Sequence, residues 1–170
     1  MRIDRPKITV PYEPLDIAIE IVNISLLLFL WLYPVMVYGE LGDTIPTHLN
    51  AQGEADDFGS KSTIWILPAI GTGLFILMFV LNRYPHLHNY MVNITEENAL
   101  SNYRISTRVL RIANLFCMIL FGVIILEIIG IARNNPFGLL GTGFLIVTIT
   151  LPLVGLGIAF YYYNKVNKNS

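Results

Sequence analysis

Cysteine is almost absent from this chain. The single thiol, Cys117, lies inside an apolar run, so no internal disulfide can staple the fold, and a buried, inert side chain is expected. Charge is scarce too: 14% of the 170 residues are Asp, Glu, Lys or Arg, against about 25% in an ordinary soluble domain. The net charge is −1, so no basic face is available and nucleic acid is excluded as a partner. The three histidines fall in no HExxH, CxxC-linked or EF-hand pattern. Low-complexity tracts and repeats of about 20–50 residues are also missing. A chain so poor in polar groups, and 54% hydrophobic, needs a solvent other than water.

What is present is length of apolar run. Ile17–Tyr38, Ile64–Leu81, Val109–Ala132 and Phe137–Tyr163 meet the requirement of roughly 17–25 apolar residues for a bilayer-spanning helix. They lack the alternation of barrel strands. The expected fold is therefore all-α, a polytopic membrane bundle of four transmembrane helices over residues 17–163. A short N-terminal segment (1–16) and a tail (164–170) flank it, with a motif loop at 39–63 and a second long loop at 82–108. The first run is long, begins late and has no small-x-small cleavage site, so it reads as a retained helix rather than a signal peptide.

Lysine and arginine orient the bundle. Arg2, Arg5, Lys7, Arg83, Arg104, Arg108, Arg111, Lys165 and Lys168 fall on one side, Lys61 and Arg133 on the other. The positive-inside rule puts both termini and the 82–108 loop in the cytoplasm and the motif loop outside. Trp31, Tyr33, Tyr38, Trp65 and Tyr161–Tyr163 mark the interfaces. Thr95-Glu96-Glu97 reads as a helix start, and no breaker follows before Ala132. The third helix should thus be one rod of roughly 55 Å at 1.5 Å per residue, extended into the cytoplasm. Arg104, Arg108 and Arg111 share one of its faces and are candidate contacts for anionic headgroups. Pro34, Pro68 and Pro152 are expected to bend their helices. The paired glycines Gly71/Gly73 and Gly155/Gly157 would allow close helix contact.

Polar groups concentrate between the first two spans, at Ile45-Pro46-Thr47-His48-Leu49-Asn50-Ala51-Gln52-Gly53-Glu54-Ala55-Asp56-Asp57-Phe58-Gly59-Ser60-Lys61. Pro46 fixes an extended entry, Gly53 and Gly59 permit unusual backbone angles, and Ser60 can cap the second span. Lys61 then sits in the first helical turn, where a cation is disfavoured by about 0.3–1 kcal/mol; Glu54, Asp56, Asp57 and Glu127 are possible partners, as is water. His48 with Glu54 and Asp56 is the best candidate metal set in a chain without a metal motif. The alternative is that His48, Asn50 and Asp56 hydrogen-bond the loop into a cap over the bundle. Ser60-Lys61 spells a serine–lysine dyad, but neighbouring residues point apart and no oxyanion donors are evident. Glu127, the acid deep in a span, is costly to ionise in lipid and so is a candidate ion site or a structural acceptor.

The string Ile45-Pro46-x-His48-x-Asn50-x-x-Gly53-x-x-Asp56-x-x-x-Ser60-Lys61 resembles the bacterial membrane domain of unknown function found at the N-terminus of SdpI-type immunity proteins. Asn89-Tyr90-x-Val92-x-Ile94-Thr95-Glu96-Glu97-Asn98-Ala99 and Tyr103-Arg104 are similar to the cytoplasmic loop of stand-alone members. The resemblance implies a bacterial inner-membrane protein. Full-length relatives carry further membrane helices, protect the producing cell against a secreted peptide toxin and sequester a repressor; four spans correspond to a stand-alone member.

Three functions stay open. One is a non-enzymatic binding or immunity-like component that recognises a peptide, a lipid or a membrane partner, through Pro46, His48, Asn50, Gly53, Asp56, Ser60, Lys61 and Glu127. The second is a metal-assisted hydrolase built on His48 and carboxylates. The third is a small transporter subunit with Glu127 as its ion site, which would require oligomerisation. No cofactor is specified by any of these residues.

Overall fold

The computed structural model describes residues 5–168, so Arg2 lies outside the described residues. Four helices are long and apolar enough to cross a membrane, and the protein is a multi-pass membrane helix bundle. In chain order these are α1 (Pro14–Val37), α2 (Ile66–Leu81), α3 (Ala99–Ala132) and α4 (Thr142–Asn167). Between α1 and α2 stands an antiparallel hairpin, β1 (Thr44–Leu49) and β2 (Ala55–Ser60). The fold is the expected all-α membrane bundle, with this two-stranded sheet a minor addition: the motif loop is a folded hairpin.

Local chemistry sets the helix starts. Pro14 opens α1 at a position where its missing N–H costs nothing, and the Glu13 N–H donates to the Asp16 carboxylate at 3.0 Å. The Lys61–Trp65 segment is a 3₁₀ turn that leads into α2. Ser60 caps it, its hydroxyl accepting the Ser62 N–H at 3.4 Å, as the sequence suggested. Pro68 therefore falls in the first turn of α2 and deletes no ladder bond. α3 begins at Ala99 rather than Thr95. Thr95–Asn98 instead forms a turn in which the Thr95 N–H donates to Asn98 Oδ1 at 3.0 Å. With 34 residues, α3 is about 51 Å long. α4 starts five residues later than the expected Phe137: 137–141 is irregular, and Leu140 and Gly141 lie against the hairpin tip.

The core lies where α1, α2 and α3 meet: Leu30, Met118, Ile125 and Ile129 are fully buried, and Ile45 and Ile64 carry it up to the hairpin. Gly71 permits the close α2 approach, since a Cβ there would sit 3.1 Å from Leu30 and 3.4 Å from Phe121. Gly73, Gly155 and Gly157 face open space, so the expectation of close contact holds only for Gly71. Trp31 Nε1–H donates to Thr72 Oγ1 at 3.0 Å and stacks on Trp65, binding α1 to α2. α4 packs chiefly on α3 and buries none of its residues; it is apolar all round, which suits a helix wrapped by lipid.

Candidate functional site at the hairpin end of the bundle

The hairpin is anchored by Ile45, fully buried against the core, and by buried Pro46 beside it. Its register pairs Thr44 with Ser60, Ile45 with Gly59 and Pro46 with Phe58, then slips around His48. Such a bulge leaves a residue unpaired and re-aims its neighbours. Asn50 organises the turn. Its side-chain oxygen accepts the Gln52 and Glu54 N–H groups at 2.9 and 3.0 Å, and its amide donates to Glu54 at 3.2 Å. Gly53 sits at φ +84°, and a Cβ there would lie 1.6 Å from the Leu140 carbonyl oxygen. The hairpin tip is thus seated directly on the segment that precedes α4, and only glycine fits at the contact.

The exposed face carries the remaining motif groups. His48 Nδ1 meets Asp56 Oδ1 at 2.5 Å, and Thr47 donates to Asp57 at 3.2 Å. Phe58 stands largely in the open beside them. Lys61 does not reach Glu127. Its ammonium lies 4.0 Å from Asp43 and 5.2 Å over the Tyr38 ring, an acid and an aromatic not foreseen as its partners. Ser60 faces Ser62 at 2.9 Å, so the serine–lysine pair points two ways. Glu54 is held by Asn50 and does not converge with His48 and Asp56. Among the described residues no three His, Cys, Asp or Glu side chains gather as a metal set. The expected triad of His48, Glu54 and Asp56 is therefore only a pair.

Glu127 is buried, and its two oxygens accept the Gly138 and Leu139 N–H groups at 3.0 Å each. These amides lie in the helix-to-helix turn, which Asn134 (φ 55°) and Gly138 (φ +67°) bend. The Asn135 N–H donates to the Gly130 carbonyl at 2.8 Å and closes the end of α3. Glu127 thus pins the α3–α4 connection, and that connection is the seat of Gly53. The deep acid and the surface motif belong to one construction, coupled through backbone.

The arginines predicted for headgroups are placed otherwise. Arg108 holds Glu13 at 2.6 Å and Asp16 at 3.0 Å. Arg104 lies 3.1 Å from Glu13, and Arg111 lies 3.0 Å from Glu20 and 4.5 Å over Tyr12. Their charges are engaged by α1, with Asp16 and Arg111 nearly inaccessible. Glu13 and Asp16 carry no motif that marks them in the sequence. The signal was there: acids at 13, 16 and 20 repeat at helical spacing, as do arginines at 104, 108 and 111. Deeper along the same seam the Asn23 amide donates to the Arg111 carbonyl at 3.4 Å, and the seam then turns wholly apolar at Leu30 and Met118.

At that same end, the 82–98 loop folds over α3. Arg5 donates to the carbonyls of His86 and His88 and covers the Tyr90 ring. Tyr163 on α4 accepts the Met91 and Val92 N–H groups at 2.7 and 2.8 Å. Beneath this clasp runs an apolar groove of about 410 Å³ between α3 and α4, lined by Ile105, Val109, Leu156 and Phe160. Burial pushes the Tyr90 hydroxyl up to about 12, and burial holds the His88 ring below the usual histidine value.

Residues 25–72 match the family model DUF1648, a domain of unknown function. The DUF1648 match runs from the middle of α1 through the hairpin into α2, so it contains Pro46 to Lys61 and omits Glu127 and the arginine seam. An uncharacterized protein of Archaeoglobus fulgidus is 39% identical over 75 residues, covering 39% of this chain and 41% of the relative. The chain thus spans less than half of the curated relative it matches. No solved structure matches the chain.

Proposed function

We propose that this protein is a non-enzymatic recognition component of a cytoplasmic (bacterial inner) membrane, its hairpin end facing outward and both termini facing the cytoplasm. The observation that carries this reading is the hairpin itself. The DUF1648 motif residues build a rigid projection that is seated on the bundle and presents His48, Asp56, Asp57 and Phe58 to the surroundings. A projecting edge with an exposed aromatic suits a peptide or a membrane-protein partner. The acids Glu40, Asp43, Glu54, Asp56 and Asp57 outnumber Lys61 and Arg133 at this end, which favours a cationic ligand. An immunity-like role, as in SdpI-type relatives, is the specific form of this reading.

The test is binding of cationic peptides to the full chain in nanodiscs, measured by fluorescence anisotropy. Affinity should fall at least tenfold in Phe58→Ser and in Asp56→Asn/Asp57→Asn, with unchanged insertion and melting. Binding that ignores all three positions would remove the hairpin from the site. A second reading, metal-assisted hydrolysis, is favoured by the His48–Asp56 contact, since a carboxylate commonly orients a metal-binding histidine. Near-stoichiometric transition metal in purified protein, lost in His48→Ala, would raise it above the first. The transporter reading is weakened, because both oxygens of Glu127 are already taken by backbone amides.

A further inference from the structure

His88 is used by neither the hairpin nor the arginine seam, yet it joins three parts of the molecule. Its Nε2 lies 3.0 Å from the Leu81 carbonyl oxygen at the end of α2, and its Nδ1 meets the Ser106 hydroxyl of α3 at 2.5 Å. A carbonyl can only accept, so Nε2 carries the proton, and Nδ1 of the neutral ring accepts from Ser106. The ring also lies along Tyr90, at 6.5 Å between centroids. Arg5, holding the His88 carbonyl and covering Tyr90, is the cation facing it from the N-terminal segment, and His86 is the titratable neighbour within the loop. From α3 come Ser106 and, behind Tyr90, Tyr103; from α4 comes the Tyr163 hydroxyl. The nearby Arg83 is turned onto the Phe79 ring. Cationic and neutral groups surround the ring, and no acid among the described residues pairs with it.

We propose that His88 is a proton-operated latch: while neutral it fastens the 82–98 loop to α2 and α3, and on taking up a proton it releases that loop from the groove between α3 and α4. The physical reason is accommodation of charge. A proton on Nδ1 turns an acceptor into a donor, so Ser106 must give up its own donation and rotate. The new positive charge sits half-buried beside Arg5 and His86 with no anion to neutralise it. Release moves the ring into water, where the charge is solvated. Asn89, Tyr90 and Met91 roof the groove, and Ser106 lines it, so the loop's departure uncovers it. A histidine is the side chain whose ordinary titration falls in the physiological window, which makes it suited to this task.

The test is hydrogen–deuterium exchange of the full chain in nanodiscs at about pH 8 and about pH 5, corrected for intrinsic exchange. It is paired with an NMR titration of ring-labelled histidines, assigned with His48→Gln and His86→Gln. Exchange across 82–98 should rise several-fold at the acid value, with a midpoint that tracks the His88 ring. His86→Gln should keep the response. Ser106→Ala, which removes one fastening without touching the titrating group, should raise exchange at the alkaline value. A loop equally protected at both values, or an opening whose midpoint follows a ring other than His88, overturns the proposal in the wild-type protein alone, whatever the variants do.

Discussion

At the residue scale, Glu127 shows how little the mere presence of an intramembrane acid says about its work. An ionisable group in a span invites a transport reading, but this one spends its oxygens on two backbone amides of a turn. Glu127→Leu should strand both N–H groups at a cost of about 1–3 kcal/mol each. Glu127→Gln keeps one acceptor and should lose roughly half as much, and thermal melting in detergent reads the difference. Gly53 makes a complementary case. Gly53→Ala brings a Cβ into the Leu140 carbonyl and a side chain into left-handed backbone. Limited proteolysis should then cut the hairpin tip several-fold faster while the helices remain resistant. If Gly53→Ala were as resistant as wild type, the hairpin would not be seated on the 137–141 segment.

At the element scale, α1 and α3 are joined by charge at one end and by apolar packing for the rest of their length. Glu13, Asp16 and Glu20 face Arg104, Arg108 and Arg111 in a partly buried ladder. Removing one partner of such a pair is worse than removing both, because the remaining charge is left in a poor solvent. Asp16→Ala should therefore lower stability by about 3 kcal/mol, and Asp16→Leu combined with Arg108→Met should recover much of it, since Glu13 keeps Arg104 and Arg111 keeps Glu20. Arg108→Lys should be costly as well, since a single ammonium cannot bridge Glu13 and Asp16 as the guanidinium fork does. Chemical denaturation of the variants in one detergent decides these orders.

At the scale of the whole molecule, the two ends of the bundle should differ in their response to pH and in their exposure to the two sides of a membrane. His88 binds a proton less readily in the fold than in the unfolded chain, through burial. The unfolded state then holds more protons as pH falls below the ordinary histidine value of 6.5. Stability contributed by this site is therefore full above that value and lost progressively below it. His88→Gln should flatten that part of the melting profile. The sidedness expected from the positive-inside rule is checked by a membrane-impermeant thiol reagent on spheroplasts. In a Cys117→Ala background, Phe58→Cys should label from outside and Glu96→Cys only after lysis. The reverse pattern would invert the assignment.

The four spans were legible in the sequence because hydrophobic length is a one-dimensional quantity, and lipid demands only that each segment satisfy its own backbone. The motif residues were legible for a related reason: in a chain so apolar, a dense polar segment stands out. The hairpin was not, because β pairing depends on register between two short runs and on the Ile45 anchor, and Ala55–Ser60 has little strand character of its own. Nor could sequence assign partners across long separation. Glu127 with Gly138 and Leu139, Lys61 with Asp43, and the three arginines with α1 are settled by which helix faces meet. The chain itself determined that it lives in a membrane and where its polar chemistry is concentrated. Only the tertiary structure decided which of those polar groups stand exposed and which are consumed in holding the bundle together, because in lipid a buried polar group takes whatever partner the packing brings within reach.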